Sequence, residues 1–454
     1  MFDRYRTPVK LLAVIYVSLA VFYTTKTLIV SPLHDCISLL LNLRPSNPTS
    51  TFLNAPSSSY ISSQTTKPQH HITSFLELKQ SQNVPLTNVS SISPYKASSF
   101  QEYLHLNEDL FISKAFSNSL HPSKIIPFFY RATGEIDAED ITVTTLITSN
   151  RFAVFAKLVE RYQGPISVTI HVPNIKTSIS DLLDSLHALY TSSPKMSLYV
   201  DVHLVVDSFG RQFNTWRNIA RLFARTEFVM MLDIDFSICT DFRGALRGNK
   251  AMLNKLREGN SAFVIPAFEY VRHEEGLDQA TFPRNKQDLI SLVKARRIDM
   301  FHTSWQPGHN STDYPRYYSA SPGEVYKVTM YQSAYEPYII FKKEGPPWCE
   351  ERFVGYGGNK AACLFEMYLS GISYYVLADH FIIHQNHLYD ETARKPERKF
   401  NRKVYTDFKE ETCLRLLKNY HELGVLNTTK GNNLQGECRK IKGFSRIATQ
   451  LIST

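Results

Sequence analysis

The sequence holds no Cys-x-x-Cys pair. Its six cysteines, Cys36, Cys239, Cys349, Cys363, Cys413 and Cys438, stand singly, which argues against a zinc site or a thioredoxin-like redox function. An oxidising compartment would bridge some of them, but their spacing does not say which. Zinc-finger spacing, an RNA-binding aromatic signature and a basic helix with heptads are missing too, so no nucleic-acid partner is expected. The net charge of +9 comes from 51 Lys and Arg against 42 Asp and Glu, spread along the chain as a solvated basic surface.

One long apolar run is present. "LLAVIYVSLAVFYTTKTLIV", Leu11 to Val30, carries a single charge, Lys26, and follows Arg4, Arg6 and Lys10. As a helix it would be about 30 Å long, enough to cross a bilayer. The basic flank stays cytoplasmic, which predicts a type II signal anchor, with residues 1–10 as cytoplasmic tail and the body in the lumen. The rival reading is a cleavable signal peptide cut near Ser18-Leu19-Ala20, past which Val21, Phe22 and Tyr23 continue the apolar run. Sequons at Asn88, Asn310 and Asn427 agree with a lumenal body.

From about Arg44 to Phe100 the chain is dominated by Ser, Thr, Pro, Asn and Gln, too little apolar surface to offset ordering entropy. The expected layout is therefore an anchor at 11–30, a stem and transition at 31–138, a catalytic domain at 139–430 and a tail at 431–454. The transition, 101–138, is read as one or two helices laid on the domain. Beyond it, 140–149, 164–172, 197–206, 227–232 and 261–270 are β-branched or aromatic runs of strand length. Helical periodicity fills the gaps between the first four. In "NTWRNIARLFART", Trp216, Ile219, Ala220 and Phe223 form the apolar stripe, and Arg217, Arg221 and Arg225 form the opposite one, read as solvated at Arg221 and Arg225. The alternation predicts an α/β fold with a mostly parallel sheet flanked by helices, whose ligands sit beyond the carboxyl ends of the strands.

"EFVMMLDIDF" places Asp233 and Asp235 at such an end. Each carboxylate would cost several kcal/mol there without a partner. If the strand continues past Leu232, residues two apart share a side and both can reach one divalent cation, with Mg²⁺ or Mn²⁺ suiting hard oxygen ligands and substrate phosphates. An Asp pair satisfied by loop N–H groups is the alternative. "FIIHQNH" brings His384 to another strand exit, with His387 flanking and His380 less well placed. "CEERFVGYGGNK" sets Glu350 and Glu351 before a glycine-rich turn and a helix over 358–369. Such a carboxylate could deprotonate an attacking hydroxyl, or be a solvated acidic turn.

Together "FVMMLDIDF", "FVIPAFEY", "FPRNKQDL", "WQPGHNSTDY", "YEPYIIFKK", "ERFVGYGGNKA" and "YYVLADHFIIHQNH" resemble glycosyltransferase family 49, the LARGE-type and β-1,4-glucuronyltransferase-like enzymes, over roughly residues 140–425. The resemblance implies a GT-A fold, a UDP-sugar donor, best guess UDP-glucuronate, Mn²⁺, inversion at the anomeric carbon, a glycan or glycoprotein acceptor and a Golgi membrane location. By position it implies Asp233, Asp235 and His384 as metal ligands, Glu350 as base with Glu351 the alternative, and Arg217 and Asn218 at the nucleotide. It also puts Arg151 near uracil or ribose, and His309 and Lys360 near donor or acceptor. Gly358 stands where relatives tend to carry a larger residue, and the chain has room for one catalytic domain, not LARGE's two. No role for Asp241 follows from the sequence.

Overall fold

The computed structural model describes residues 124–388 and 391–453. The predicted anchor, the stem and Asn88 lie outside them; among the described residues no helix is long and apolar enough to cross a membrane.

In chain order the strands are β1 (Lys124–Tyr130), β2 (Ile141–Ile147), β3 (Ile166–Pro173), β4 (Val200–Asp207), β5 (Phe228–Met231), β6 (Phe236–Ile238), β7 (Ser261–Ile265), β8 (Ala267–Tyr270), β9 (Ile298–Met300), β10 (Val325–Lys327), β11 (Tyr338–Lys342), β12 (Ser373–Leu377) and β13 (Ile382–His384). The helices that matter below are α1 (Phe152–Tyr162), α2 (Lys176–Thr191), α3 (Phe213–Leu222), α4 (Asn359–Leu369) and α5 (Glu391–Glu422). They flank a mixed sheet ordered β1-β4-β3-β2-β5-β11-β7-β12-β10, beside a four-stranded sheet ordered β6-β13-β8-β9.

The block β4-β3-β2-β5 is parallel, as alternation predicts, because each strand is buried on both faces and returns through a helix. Side chains along β5 alternate: Phe228 and Met230 join the core under α1 and α2, while Val229 and Met231 join the core under α4 and α5. The mostly parallel expectation fails at β11, which runs antiparallel to both β5 and β7.

Three local expectations are corrected. The run 261–270 is two strands, because Pro266 cannot donate to a ladder; β7 stays in the large sheet and β8 crosses to the small one. The transition segment contributes a strand, β1, which pairs antiparallel with β4 at the sheet edge. The arginine stripe of α3 is not solvated. Arg221 is 4% exposed and donates to the carbonyls of Lys343, Pro346 and Pro347, with Trp348 4.2 Å beneath its guanidinium. Arg225 pairs with Asp201 at 2.7 Å. The opposite stripe is buried as expected, Trp216 at 1% and Ile219 at 2%.

Disulfides join Cys349 to Cys363 and Cys413 to Cys438, while Cys239 is free and buried. Asp241 caps the helix Phe242–Arg247, its carboxylate accepting from the Gly244 N–H at 2.8 Å.

Candidate active site

β5 stops at Met231, so the geometry expected of a continuing strand does not occur. The chain turns over Asp233–Asp235, with the Phe236 N–H donating to the Asp233 carbonyl at 3.1 Å, and re-enters as β6 in the small sheet. The two carboxylates part company. Asp233 Oδ1 accepts from the Arg217 guanidinium at 3.0 Å, and Oδ2 accepts from Lys360 Nζ and the Tyr338 hydroxyl, both at 2.9 Å. Burial alone would raise its pKa, but Lys360 and Arg217 outweigh burial and hold it well below the usual carboxylate range.

Asp235 faces the other way. A carboxylate oxygen of Asp235 and one ring nitrogen each from His384 and His387 lie within 4.8 Å of one another. The β6–β13 pairing explains this: His384 sits opposite Phe236, and the next residue, Gln385, donates its N–H to the Asp235 carbonyl at 2.7 Å. His387 Nε2 is 3.2 Å from Asp235 Oδ2, and Arg151 Nε 3.0 Å from Oδ1. Burial pushes the His384 imidazole down to about 3, so it is neutral, the form that binds a cation. The group that could hold a metal is thus Asp235, His384 and His387. Asp233, expected among the ligands, is taken up by its two cations. His380 points elsewhere, its Nδ1 3.1 Å from the Thr240 hydroxyl.

Arg217 is brought to the site, and it also binds Asn359 Oδ1 at 2.7 Å. Asn218, expected at the nucleotide, is consumed structurally. It is 3% exposed, its Nδ2 donates to the Cys349 carbonyl and to Glu351 Oε1, and its Oδ1 accepts from the Cys349 N–H. Asn214, one turn earlier, donates to the carbonyls of Glu350 and Asn359. The edge of α3 is therefore a clamp on the turn 349–359.

Glu350 and Glu351, the expected base and its alternative, sit in the turn that α3 clamps. Both line a cavity of about 1630 Å³ walled also by Lys255, Trp348, Tyr375 and Arg415, to which Asp233, Asp235 and His384 contribute nothing. Glu350 accepts from the Arg352 N–H at 2.9 Å and pairs with its guanidinium at 3.2 Å, the ordinary behaviour of an acidic turn. Lys360, left without a fixed role by the sequence, is 5% exposed on Asp233. His309 is buried 6.4 Å from the Tyr338 ring and nearly parallel to it, and burial holds its imidazole well below its ordinary value. Gly358 has φ +71 at the start of α4, a left-handed conformation that suits glycine and would strain a larger residue.

Sequence reasoning missed Tyr338, Glu269 and Glu336. Glu269 lies opposite His384 in the β8–β13 ladder and accepts from the His302 N–H at 2.9 Å. Burial pushes its carboxyl up to about 7. Glu336 is raised by burial beside Lys360. For Glu269 the signal was available: it is an acid within the apolar run of β8, the feature that singles out Asp233.

A family model described as "Glycosyl-transferase for dystroglycan" matches residues 140–213 and 207–416. The chain belongs to this family. Among relatives of this dystroglycan glycosyl-transferase family, xylosyl- and glucuronyltransferase LARGE2 of Mus musculus is 30% identical over 252 residues, 55% of this chain and 34% of the relative. Glycosyltransferase-like protein gnt14 of Dictyostelium discoideum is 30% identical over 251 residues, 54% and 37%. Xylosyl- and glucuronyltransferase LARGE1 of Danio rerio is 25% identical over 320 residues, 69% and 40%. The chain thus spans 34–40% of the length of these curated relatives. Solved structures that align include GalNAc-T7 with UDP, GalNAc and Mn²⁺ (11% identity, 55% of this chain, 44% of that chain, TM-score 0.33). A Pyrobaculum calidifontis mannosyltransferase with GDP-Man and Mn²⁺ also aligns (10%, 79% and 82%, TM-score 0.31); at such scores neither likeness supports an argument.

Proposed function

We propose that this chain is a metal-dependent, inverting glycosyltransferase of GT-A type, moving a sugar from UDP to a glycan hydroxyl in the Golgi lumen behind a type II anchor. The observation that carries the reading is the pairing of two charge systems at one strand exit. Asp235, His384 and His387 gather within 4.8 Å, next to Asp233 with the two cations that pair with it.

A carboxylate and two imidazoles make a donor set that fits a first-row divalent ion such as Mn²⁺, held by Asp235, His384 and His387. When bound, the ion offsets the charge that develops on the diphosphate as the sugar departs. The remaining work falls to the chain. Arg151, which now neutralises Asp235, is freed to meet a phosphate once Asp235 has another cation. Arg217 and Lys360, fixed on Asp233, add preorganised positive charge that needs no rearrangement during transfer.

Glucuronate is the favoured donor sugar, since the names of relatives include glucuronyl transfer and the cations here suit an acidic donor. A neutral UDP-sugar is the second reading, favoured by the xylosyl half of the same names. The test is a UDP-sugar panel with Mn²⁺ and the lumenal domain, scored by UDP release with and without Asp235→Ala. We expect UDP-glucuronate to turn over and the variant to lose Mn²⁺-dependent UDP binding. Preferential use of a neutral sugar overturns the donor; binding and transfer retained by the variant overturn the metal site.

A further inference from the structure

The segment from Phe301 to His309 is fastened to the site at both ends and carries an exposed indole between them. At the first end, the Phe301 ring lies 4.9 Å from the His384 ring and 4.9 Å from that of Phe236. His302 follows at φ +56, left-handed for a side chain with a Cβ, held there by its N–H on Glu269. At the far end His309 packs on Tyr338, whose hydroxyl binds Asp233, and the Gly308 carbonyl accepts from the Glu336 N–H at 2.8 Å.

Trp305 stands between. It is 61% exposed, and its φ −131 and ψ +66 break the short helical turn Thr303–Gly308 around it. Its backbone N–H donates to the His302 carbonyl at 2.7 Å, and a Cβ at Gly308 would come within 3.3 Å of its ring, so the indole rests over bare backbone. The other two tryptophans are committed elsewhere: Trp216 is 1% exposed and Trp348 lies under Arg221. The left-handed His302 and the turn that follows it therefore hold a large apolar side chain in water, where burial would ordinarily be favoured.

We infer that Trp305 is the platform on which the acceptor glycan's terminal sugar lies, a pyranose with its C–H face on the indole. This rests on the transfer reading above. A pyranose ring presents apolar C–H groups on its face and hydroxyls at its edge, and an indole offers a flat, polarisable surface for the first. The flanking Ser304 and Gln306 are exposed and polar, a rim suited to hydroxyls and not to the apolar patch of a protein partner. The donor has its own anchors in the cations on Asp233 and in the Asp235 group, which leaves this surface to the second substrate.

The experiment measures initial rates of UDP release and glycoside product with Mn²⁺ for wild type, Trp305→Ala and Trp305→Phe. The acceptors are aryl β-pyranosides (xyloside, glucuronide, galactoside and N-acetylglucosaminide). We expect Trp305→Ala to raise the acceptor KM at least tenfold with the donor KM moving less than twofold, and Trp305→Phe to recover most of the loss. Quenching of indole fluorescence by the best acceptor should vanish in both variants. An unchanged acceptor KM with an active wild type overturns the platform. An equal rise in both KM values makes Trp305 a general support of the site and overturns it as well. A wild type that transfers no sugar to any acceptor brings down the transfer reading, and this inference with it.

Discussion

Asp233 and Asp235 are separated by one residue and do unlike electrostatic work. Asp233 is a half-buried counter-ion, its side chain 32% exposed and held by two cations, so removing one partner leaves a charge that water compensates only in part. A double-mutant cycle of Asp233→Asn and Lys360→Met in urea unfolding should give a coupling of more than about 1 kcal/mol. Coupling near zero would mean that Arg217 alone satisfies Asp233. Glu269 makes a second residue-scale prediction. Its folded pKa is raised from 4.5 to about 7, so the fold favours the protonated acid. The stability this gives is fully present below pH 4.5 and is lost as pH rises through 7, by at most about 3 kcal/mol. Glu269→Gln should flatten the pH dependence of unfolding across that window; an unaltered slope in the variant would remove Glu269 from the account.

At the scale of elements, α3 acts as a clamp, and this separates two roles that its sequence runs together. Arg217 faces the charges, whereas Asn218 holds Cys349 by both its N–H and its carbonyl. Asn218→Ala strands those buried groups and should cost about 1–3 kcal/mol in stability. Calorimetric titration should find UDP affinity changed less than threefold; a large affinity loss with normal stability would restore Asn218 to the nucleotide. Such clamps explain what the sequence hides. Periodicity shows that Trp216 and Ile219 are buried, because that follows from 3.6 residues per turn. It cannot show that Arg221 is buried too, since the carbonyls that receive it come from residues 343–347, far along the chain. Nor does β1 announce itself. Its Pro127 reads as a breaker, and only at an edge, beside the irregularity between Ile126 and Tyr130, is a proline admitted to a ladder. The strand-end acids and His384 were legible because charge at the end of an apolar run is itself improbable. Which glutamate of the turn would serve as base is not legible, because neighbouring glutamates in a turn look alike whether they face a substrate or Arg352.

For the whole molecule, the disulfides close loops near the carboxyl-terminal half, with sequence separations of 14 and 25. Loop-closure entropy assigns about 3 kcal/mol to the shorter and slightly more to the longer. A Cys413→Ser/Cys438→Ser variant should therefore unfold at visibly lower urea, and reductant should shift wild type the same way. Coincident midpoints with and without reductant would show that the bridges add nothing. Pro266, the turn Asp233–Asp235 and the four-residue link from β12 to β13 each pass the backbone directly from the large sheet to the small one beside the site. One charge system ends β5 in the first sheet, and the other begins β6 in the second. Two peptide steps join them, so the spacing between the two charge systems is ruled by covalent bonds. Drift of one sheet against the other can tilt that ruler but cannot lengthen it.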